Sequence, residues 1–313
     1  MKNKVFNEVT LEGLLYEHKL EKKVSGPTAA NPGTEFIGGT ISIATDDECL
    51  NVVQVHFTYV TALTTKGNPN RTFTTLSALM ENGKTVVNDG KENATKVRVT
   101  NSAIGLREFY SKLTDEEPVS LVRNEGGFVY IINGALSEQP DSRNHWAADM
   151  VITKVTDVEA NPDRNTPDEV KIEGLIFNSY TKAVMPMTFS VLSEDGKAYF
   201  RKLDISAKEP LFTKVWGNQI SQTVSHEIRE ESAWGAASVR IQNSSVKKYV
   251  ITGMSPDGYV WDDPDEGISI EEMKSKMADR QLYLASLKKQ QEEYQNSRNA
   301  AKPAAATAGK YDF

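Results

Sequence analysis

The chain has 313 residues, 39% of them hydrophobic and 25% charged, with 36 basic against 43 acidic side chains and a formal net charge of −7. That length holds two domains of ordinary size. The charge balance argues against a uniformly basic nucleic-acid surface, although a local basic groove can sit on an acidic protein. No apolar run approaches the ~18 residues of a membrane helix. Residues 1–6 have a basic start with no apolar core behind it, so neither a secretory signal nor a membrane partner is expected. The single cysteine, Cys49, excludes an intrachain disulfide and fits a reducing cytoplasm.

Strand signals open the chain. Residues 9–17 alternate through Val9, Leu11, Gly13 and Leu15, and residues 35–44 carry Phe36, Ile37, Ile41 and Ile43 around the pair Gly38-Gly39. Residues 50–60 place Val53, Val55, Phe57 and Tyr59 on one face and Val52, Gln54, His56 and Thr58 on the other. Period-2 alternation of β-branched and aromatic residues predicts strands, and glycine inside a strand predicts a bulge or bend. Phe73, Leu76, Leu79 and Met80 recur at helical spacing, so 72–82 is a short helix. Strands return at 95–100 and 146–157, and 105–145 reads as an inserted helix or turn plus a hairpin with 128–132 as one arm.

A Pro/Asn/Asp-rich link at 160–167 follows. Beyond it strands are expected at 169–177, 184–192, 211–217 and 247–254, with a short helix or turn at 195–203. An insertion at 218–246 is read as partly helical at 220–231. Ser269 with Glu272 three residues on forms a capping box, and Met273, Met277, Leu282, Leu284 and Leu287 give a modest apolar stripe. The Ala/Pro-rich end cannot bury a core and is expected to be disordered.

Short landmarks recur in the same order. Val9-Thr10-Leu11-Glu12-Gly13-Leu14-Leu15 returns as Val170-Lys171-Ile172-Glu173-Gly174-Leu175-Ile176. Thr95-Lys96-Val97 returns as Thr213-Lys214-Val215, and Val151-Ile152-Thr153 as Val250-Ile251-Thr252. Repetition of this kind predicts two copies of one β-rich module. The element order, three strands, a helix, then two strands, is that of an OB-fold, a five-stranded Greek-key barrel, while periodicity alone also allows an SH3-like barrel. The expected architecture is mainly β with α additions: two tandem OB-like small β-barrels at 1–160 and 165–260, a helix at 268–298 and a disordered tail at 299–313.

Little in the sequence points to catalysis. Gly83-Lys84-Thr85 fits a relaxed phosphate-loop pattern, but a helix precedes it and a strand follows, the reverse of what cradling a phosphate requires. His18, His56, His145 and His226 are scattered, and the acidic run at 262–267 lacks the spacing of a calcium loop. No enzyme, metal or cofactor is expected. What remains is basic and aromatic residues on strands, the pair that single-strand binders use for phosphates and base stacking. The DNA-binding candidates are Tyr16, His18, Lys19, Lys22, Lys23, Phe36, His56, Arg98, Arg123 and Tyr130 in the first copy. In the second they are Lys182, Lys214, Trp216, Lys247 and Lys248. Alternating aromatics also build cores, and strand lysines also guard edges. Lys19, Lys22 and Lys23 lead into the loop at Ser25-Gly26-Pro27, which in OB-folds borders the ligand face.

The barrels, the alanine/proline linker and the Tyr311-Asp312-Phe313 terminus together resemble single-stranded DNA-binding proteins, which carry OB-folds, a flexible linker and a short acidic tip ending in an aromatic residue. Thr34-Glu35-Phe36-Ile37-Gly38-Gly39 and the alternating strand at 51–60 are also similar to a group of tailed-phage proteins. The resemblance implies single-stranded DNA binding in phage replication or recombination within the host cytoplasm. It also implies recruitment of replication or recombination proteins through Tyr311, Asp312 and Phe313. This tip has one acid where that family's tip has several. The alternative reading is a phage structural or assembly protein built of tandem barrels, and a further one is an adaptor that binds a host protein. A continuous basic strip would favour the first, and large exposed apolar patches the second.

Overall fold

The computed structural model describes residues 5–112, 115–161, 167–206, 208–230, 234, 238–263 and 265–300. β1 (Asn7–Val24), β2 (Glu35–Ala44) and β3 (Val52–Thr61) form an antiparallel meander. Helix α1 (Arg71–Asn82) follows, started by the Asn70 side chain accepting from the Thr72 N–H, with Leu76 and Leu79 buried. A one-turn helix α2 (Val86–Asp89) leads into β4 (Lys96–Phe109), then β5 (Val119–Glu125) and β6 (Phe128–Ile131). β5 lies parallel to β3, with Val55 opposite Asn124 and His56 opposite Glu125, and antiparallel to β4. β4 returns to β1, so the pairing closes as β1–β2–β3–β5–β4–β1.

The second half repeats this pattern. After the short α3 (Pro140–Arg143) come β7 (Asn144–Val158), β8 (Glu169–Phe177), β9 (Val184–Val191), α4 (Glu194–Arg201), β10 (Leu211–Glu230) and β11 (Ser238–Met254). They pair as β7–β8–β9–β11–β10–β7, with Val250 parallel to Ser190 where β11 meets β9. α4 occupies the place of α1, between third and fourth strands, and is capped by Ser193 accepting from the Gly196 N–H.

The two halves are not separate sheets. The first residues of β1 pair antiparallel with the first residues of β7: Asn7 with Ala148, Val9 with Trp146, Leu11 with Asn144. All eleven strands found among the described residues therefore form one hydrogen-bonded set. One apolar cluster runs through both halves, from Val9, Ile41 and Phe57 to Trp146, Phe189 and Ile251.

This junction is self-matching. Asn7 and Asn144 open equivalent strands and make equivalent bonds. The Asn7 side chain accepts from Ile104 N–H (3.0 Å) and donates to Ile104 C=O (2.9 Å) on β4. The Asn144 side chain accepts from Gln219 N–H (3.1 Å) and donates to Gln219 C=O (2.7 Å) on β10. Five residues after each asparagine stands a buried acid, Glu12 and Asp149. With Asn7 matched to Asn144, Leu11 matches Ala148, so the pairs Asn7–Ala148 and Leu11–Asn144 are one contact made twice. That is the signature of an isologous, two-fold interface, here inside a single chain with its dyad at Val9–Trp146.

Several expectations are corrected. Residues 220–231 were read as partly helical, but residues 220–230 belong to β10, paired with β11 over residues 215–230, and residue 231 lies outside the described residues. Ile220, Val224 and Ile228 recur every four residues, a spacing that satisfies one helix face and one strand face alike. Ser221, Thr223 and Ser225 between them favour the strand. Of the repeated landmarks, only Thr95-Lys96-Val97 and Thr213-Lys214-Val215 fall at equivalent strands, β4 and β10, two residues out of register. Val9-Thr10-Leu11 lies on β1 while Val170-Lys171-Ile172 lies on β8, and Val151 lies on β7 while Val250 lies on β11. β7, placed by the sequence reading in the first copy, pairs with β8 and β10. The glycine pair expected to bend β2 does mark a register shift between Ile37 and Gly39, and Gly39 has φ +126°.

The C-terminal helix α5 (Ile270–Ala300) starts at Ser269, whose hydroxyl accepts from the Glu272 N–H. It follows β11 in the chain, at the place expected of the helix, and it straps both halves. Met273 is buried against the second half with Phe177 and Phe212. Arg280 makes a bidentate pair with the buried Glu108 of β4 (2.5 and 2.8 Å), and Gln291 donates to Ser111 C=O. Among the described residues no helix is long and apolar enough to cross a membrane.

Replacing Asn7 or Asn144 by alanine strands a buried backbone N–H on the facing strand. Each substitution is expected to lower unfolding free energy by about 1–3 kcal/mol, read as an earlier urea midpoint at unchanged slope. An unmoved midpoint would remove these amides from the account of the junction.

Candidate nucleic-acid interface

The two halves leave a cleft of about 370 Å³ between them. One wall is β3 (Val53, Gln54) and β5 (Val122, Arg123, Asn124). The other is built from β8 and β9 (Glu169, Lys171, Met187, Thr188), with β10 and β11 contributing Gln219, Lys247, Lys248 and Tyr249. Among the described residues its lining carries four basic side chains, Arg123, Lys171, Lys247 and Lys248, and one carboxylate, Glu169.

The floor is a buried amide network. Asn124 and Gln219 exchange side-chain hydrogen bonds (2.9 and 3.2 Å), Asn124 also donates to Gln54 C=O, and the Tyr249 hydroxyl donates to Asn124 Oδ1 at 3.0 Å. Asn51 continues it, donating to Gln219 C=O and accepting from Ser221 N–H. Buried polar groups that are fully bonded rigidify their surroundings, so this network sets the position of the basic side chains above it. Tyr249 packs edge-on against Trp146 and Phe189. Its ring is an anchor rather than a stacking platform.

Two charges in the cleft have acid partners. Lys248 meets the buried Glu169 at 2.6 Å, and Arg123 meets Glu125 at 2.6 Å. Beside Arg123 stands His56, whose imidazole is pushed below its ordinary 6.5 first by burial, then by the Arg123 guanidinium and, more weakly, by Arg107, with Glu125 opposing. A second, adjoining cleft of about 350 Å³ shares Gln54, Ser221 and Lys247 and adds Tyr16, Glu17 and Ser42.

The structure therefore brings Arg123, Lys247 and Lys248 together, with His56 and Tyr16 at the margins. The other candidates lie elsewhere. Lys19, Lys22 and Lys23 sit on the β1–β2 hairpin beside Glu17, Glu81 and Glu21, at 3.7, 3.8 and 2.8 Å. Phe36 packs tilted against Tyr59 near that hairpin, ring centroids 4.5 Å apart and planes at 40°. His18 is half-buried on β1, its Nδ1 enclosed without a protein partner. Arg98 is held by Glu12 at 2.5 Å, with the exposed Tyr130 opposite it on β6. Lys182 lies in the turn between β8 and β9 with φ +56°. The Lys214 ammonium sits 4.1 Å over the Phe6 ring, and the Trp216 indole covers Gly253. Tyr311, Asp312 and Phe313 lie outside the described residues. Sequence reasoning missed Lys171, Asn124, Gln219 and Asn51. The repeated Asn-x₄-acid at Asn7/Glu12 and Asn144/Asp149 was the available signal for the true repeat, though not for the cleft. Among the described residues no His, Cys, Asp or Glu side chains are grouped to hold a metal ion.

Fold and cleft define a duplicated, mainly β protein with a basic groove at its internal dyad. The chain belongs to the YorF family, whose model matches residues 5–290. No curated protein matches it. Among solved structures it is similar to a deletion mutant of the single-stranded DNA binding protein from Thermus aquaticus, at 11% identity over 84% of this chain and 98% of that one, with a TM-score of 0.45. A likeness that distant carries no argument.

His56 is neutral in the fold at neutral pH. Because its folded pKa lies below the unfolded value, its contribution to stability is present above about 6.5 and is lost as pH falls below it. Unfolding midpoints of wild type and His56→Gln are expected to converge toward acid pH, and an NMR titration of His56 should give a midpoint below 6.5. A midpoint at or above 6.5 would contradict the environment described.

Proposed function

We propose that this YorF-family protein binds single-stranded DNA without catalysing a reaction, in DNA replication or recombination, with the inter-half cleft as the centre of its binding surface. The observation that carries this reading is the convergence of Arg123, Lys171, Lys247 and Lys248 on one groove of an otherwise acidic chain. Strand connectivity supports it. Each half has a three-strand meander, a helix, and two further strands with third and fifth parallel, an order like that of an OB-fold, and the first half adds β6 beside β4. In that fold the face of strands two and three and the loop between strands four and five take oligonucleotides. Here β3, β8, β9 and β11 line the cleft. Phosphates would compete with Glu169 and Glu125 for Lys248 and Arg123. Bases would reach Tyr16, and Phe36 and Tyr59 further along β2 and β3.

The alternative, an assembly protein, is favoured by one observation: Phe109 and Leu121 at one end of the β4–β5 pair, and Phe128 and Tyr130 on β6 at the other end of β4, are each exposed. Concentration-dependent self-association in sedimentation, with no DNA binding, would select it.

Fluorescence anisotropy with labelled dT oligonucleotides and a duplex control at two salt concentrations tests the proposal. Submicromolar, salt-sensitive binding to single strands is expected. Absence of binding at low salt would sink it. Arg123→Glu with Lys248→Glu should weaken binding and flatten the salt slope by about 1.4, the share of two phosphate contacts to a single strand. Lys22→Glu with Lys23→Glu should do less if the cleft is the centre. Glu169→Gln, which frees Lys248, should tighten binding by about two- to tenfold, a gain on the order of 1 kcal/mol. Weaker binding by that variant would mean that Glu169 positions Lys248 rather than competing for it.

A further inference from the structure

The internal dyad passes through the cleft itself. Ile104 and Gln219 are equivalent through their asparagine partners, and they pair with Asn124 and Tyr249 across β4–β5 and β10–β11. Asn124 is therefore the counterpart of Tyr249, Arg123 of Lys248, and Val122 of Lys247. The parallel pairs His56–Glu125 and Ser190–Val250 make His56 the counterpart of Ser190, and so Val53 of Met187 and Gln54 of Thr188. All of Val53, Gln54, Val122, Arg123 and Asn124 line the cleft, and so do Met187, Thr188, Lys247, Lys248 and Tyr249. These five residues of one wall match five of the other through the dyad, while Glu169, Lys171, Ser190, Gln219, Ile220 and Ser221 line the cleft from the second half alone. Asn124 and Tyr249, counterparts of one another, touch at 3.0 Å, which places the axis between them.

A nucleic-acid strand has direction, and a two-fold axis reverses it. If each half holds its segment with one fixed 5′-to-3′ sense, the two senses oppose each other along a path that crosses the axis. We propose, resting on the DNA-binding reading above, that the cleft takes two single-stranded segments of opposite polarity, one on each half, meeting at the dyad. A long natural strand satisfies this by folding back on itself. A short natural strand running straight across matches one half and is reversed on the other. The substrate class is thus a looped single strand, or two strands brought side by side in antiparallel sense. The charge pattern fits such an arrangement, because Arg123 and Lys248 offer a cation at the same place on both walls.

The test uses the full chain and three dT oligonucleotides of equal length. Each has two arms of about six nucleotides, within the ~4–16 that one OB-fold covers. One has uniform polarity, one a central 3′–3′ linkage, and one a central 5′–5′ linkage. These strands are too short to fold back, so only an inverted linkage lets both arms keep the sense each half requires. One of the two inverted oligonucleotides is expected to bind at least about tenfold tighter than the uniform one, since its second arm binds at high effective concentration. Equal, measurable affinity for all three would overturn the opposed-polarity proposal while leaving single-strand binding in place. No binding by any of them, nor by a long dT strand, would instead remove the DNA-binding reading on which it rests. A long dT strand labelled at both ends supplies an independent readout. Its ends should approach on binding, seen as a rise in energy transfer, and separation of the ends at saturation would count against fold-back.

Discussion

The structure depends on the antiparallel pairing of β1 with β7. β1 is hydrogen-bonded to β4 along one edge, while its other edge is shared between β7 at the start and β2 beyond Leu14. β7 does the same with β10, β1 and β8. Such sharing removes two open edges that would otherwise invite pairing with another chain. It also creates a problem, because a strand that changes partners leaves backbone groups of its neighbours beyond the end of the ladder. The side-chain amides of Asn7 and Asn144 take the place of the missing peptide groups on β4 and β10. Asn7 also donates to Phe177 C=O on β8, binding the two halves directly. An asparagine is suited to this because its side chain carries the same donor and acceptor as a peptide bond.

A second consequence of the pairing is electrostatic. Joining the halves encloses a groove with four basic side chains and one carboxylate, and two of the four, Arg123 and Lys248, have acid partners; several basic residues elsewhere are matched locally as well. The three lysines of the β1–β2 hairpin face three carboxylates, Arg98 faces Glu12, and Arg280 faces Glu108. The exposed pairs are individually weak, on the order of 0–1 kcal/mol, and screened by salt, so they do not lock those side chains. They do cancel the field that the same lysines would project. A chain of net charge −7 can thereby present a cationic groove, and the sign of the whole is a poor guide to the sign of the site.

The elements were largely legible in the sequence because their signals are local. Alternation marked β1, β2 and β3, helical spacing marked α1, and the Ser269–Glu272 box marked the start of α5. What pairs with what was not legible. Val9-Thr10-Leu11-Glu12-Gly13 resembles Val170-Lys171-Ile172-Glu173-Gly174 because both are buried strands with a glycine where another backbone passes close. A β-carbon on Gly13 would lie 1.9 Å from Ala44 O, and one on Gly174 2.4 Å from Val151 O. Shared sterics, not shared position, made these strings alike. The cleft was half legible: Arg123, Lys247 and Lys248 stood out as cations on strands, but nothing local distinguishes them from Lys214, whose ammonium is spent on Phe6. Only the long-range pairing of β5 and β11 with their neighbours separates the two cases.

Duplication within one chain gives something that two identical subunits lack. In a true dimer the residues on the axis must be the same, so an acceptor faces an acceptor or a donor a donor unless one of them rotates. Here the axial counterparts have diverged into Asn124 and Tyr249, and the tyrosine hydroxyl donates to the asparagine oxygen. Gln219 completes the set by satisfying the rest of the Asn124 amide, a role its counterpart Ile104 does not share. The walls have diverged as well, with Val122 on one where Lys247 stands on the other. On the rim, where a ligand would be met, Arg123 and Lys248 keep the same charge and Gln54 and Thr188 keep polar side chains. Asymmetry on the floor lets the two halves hold each other, and what they keep in common where they face outward is one cation on each wall.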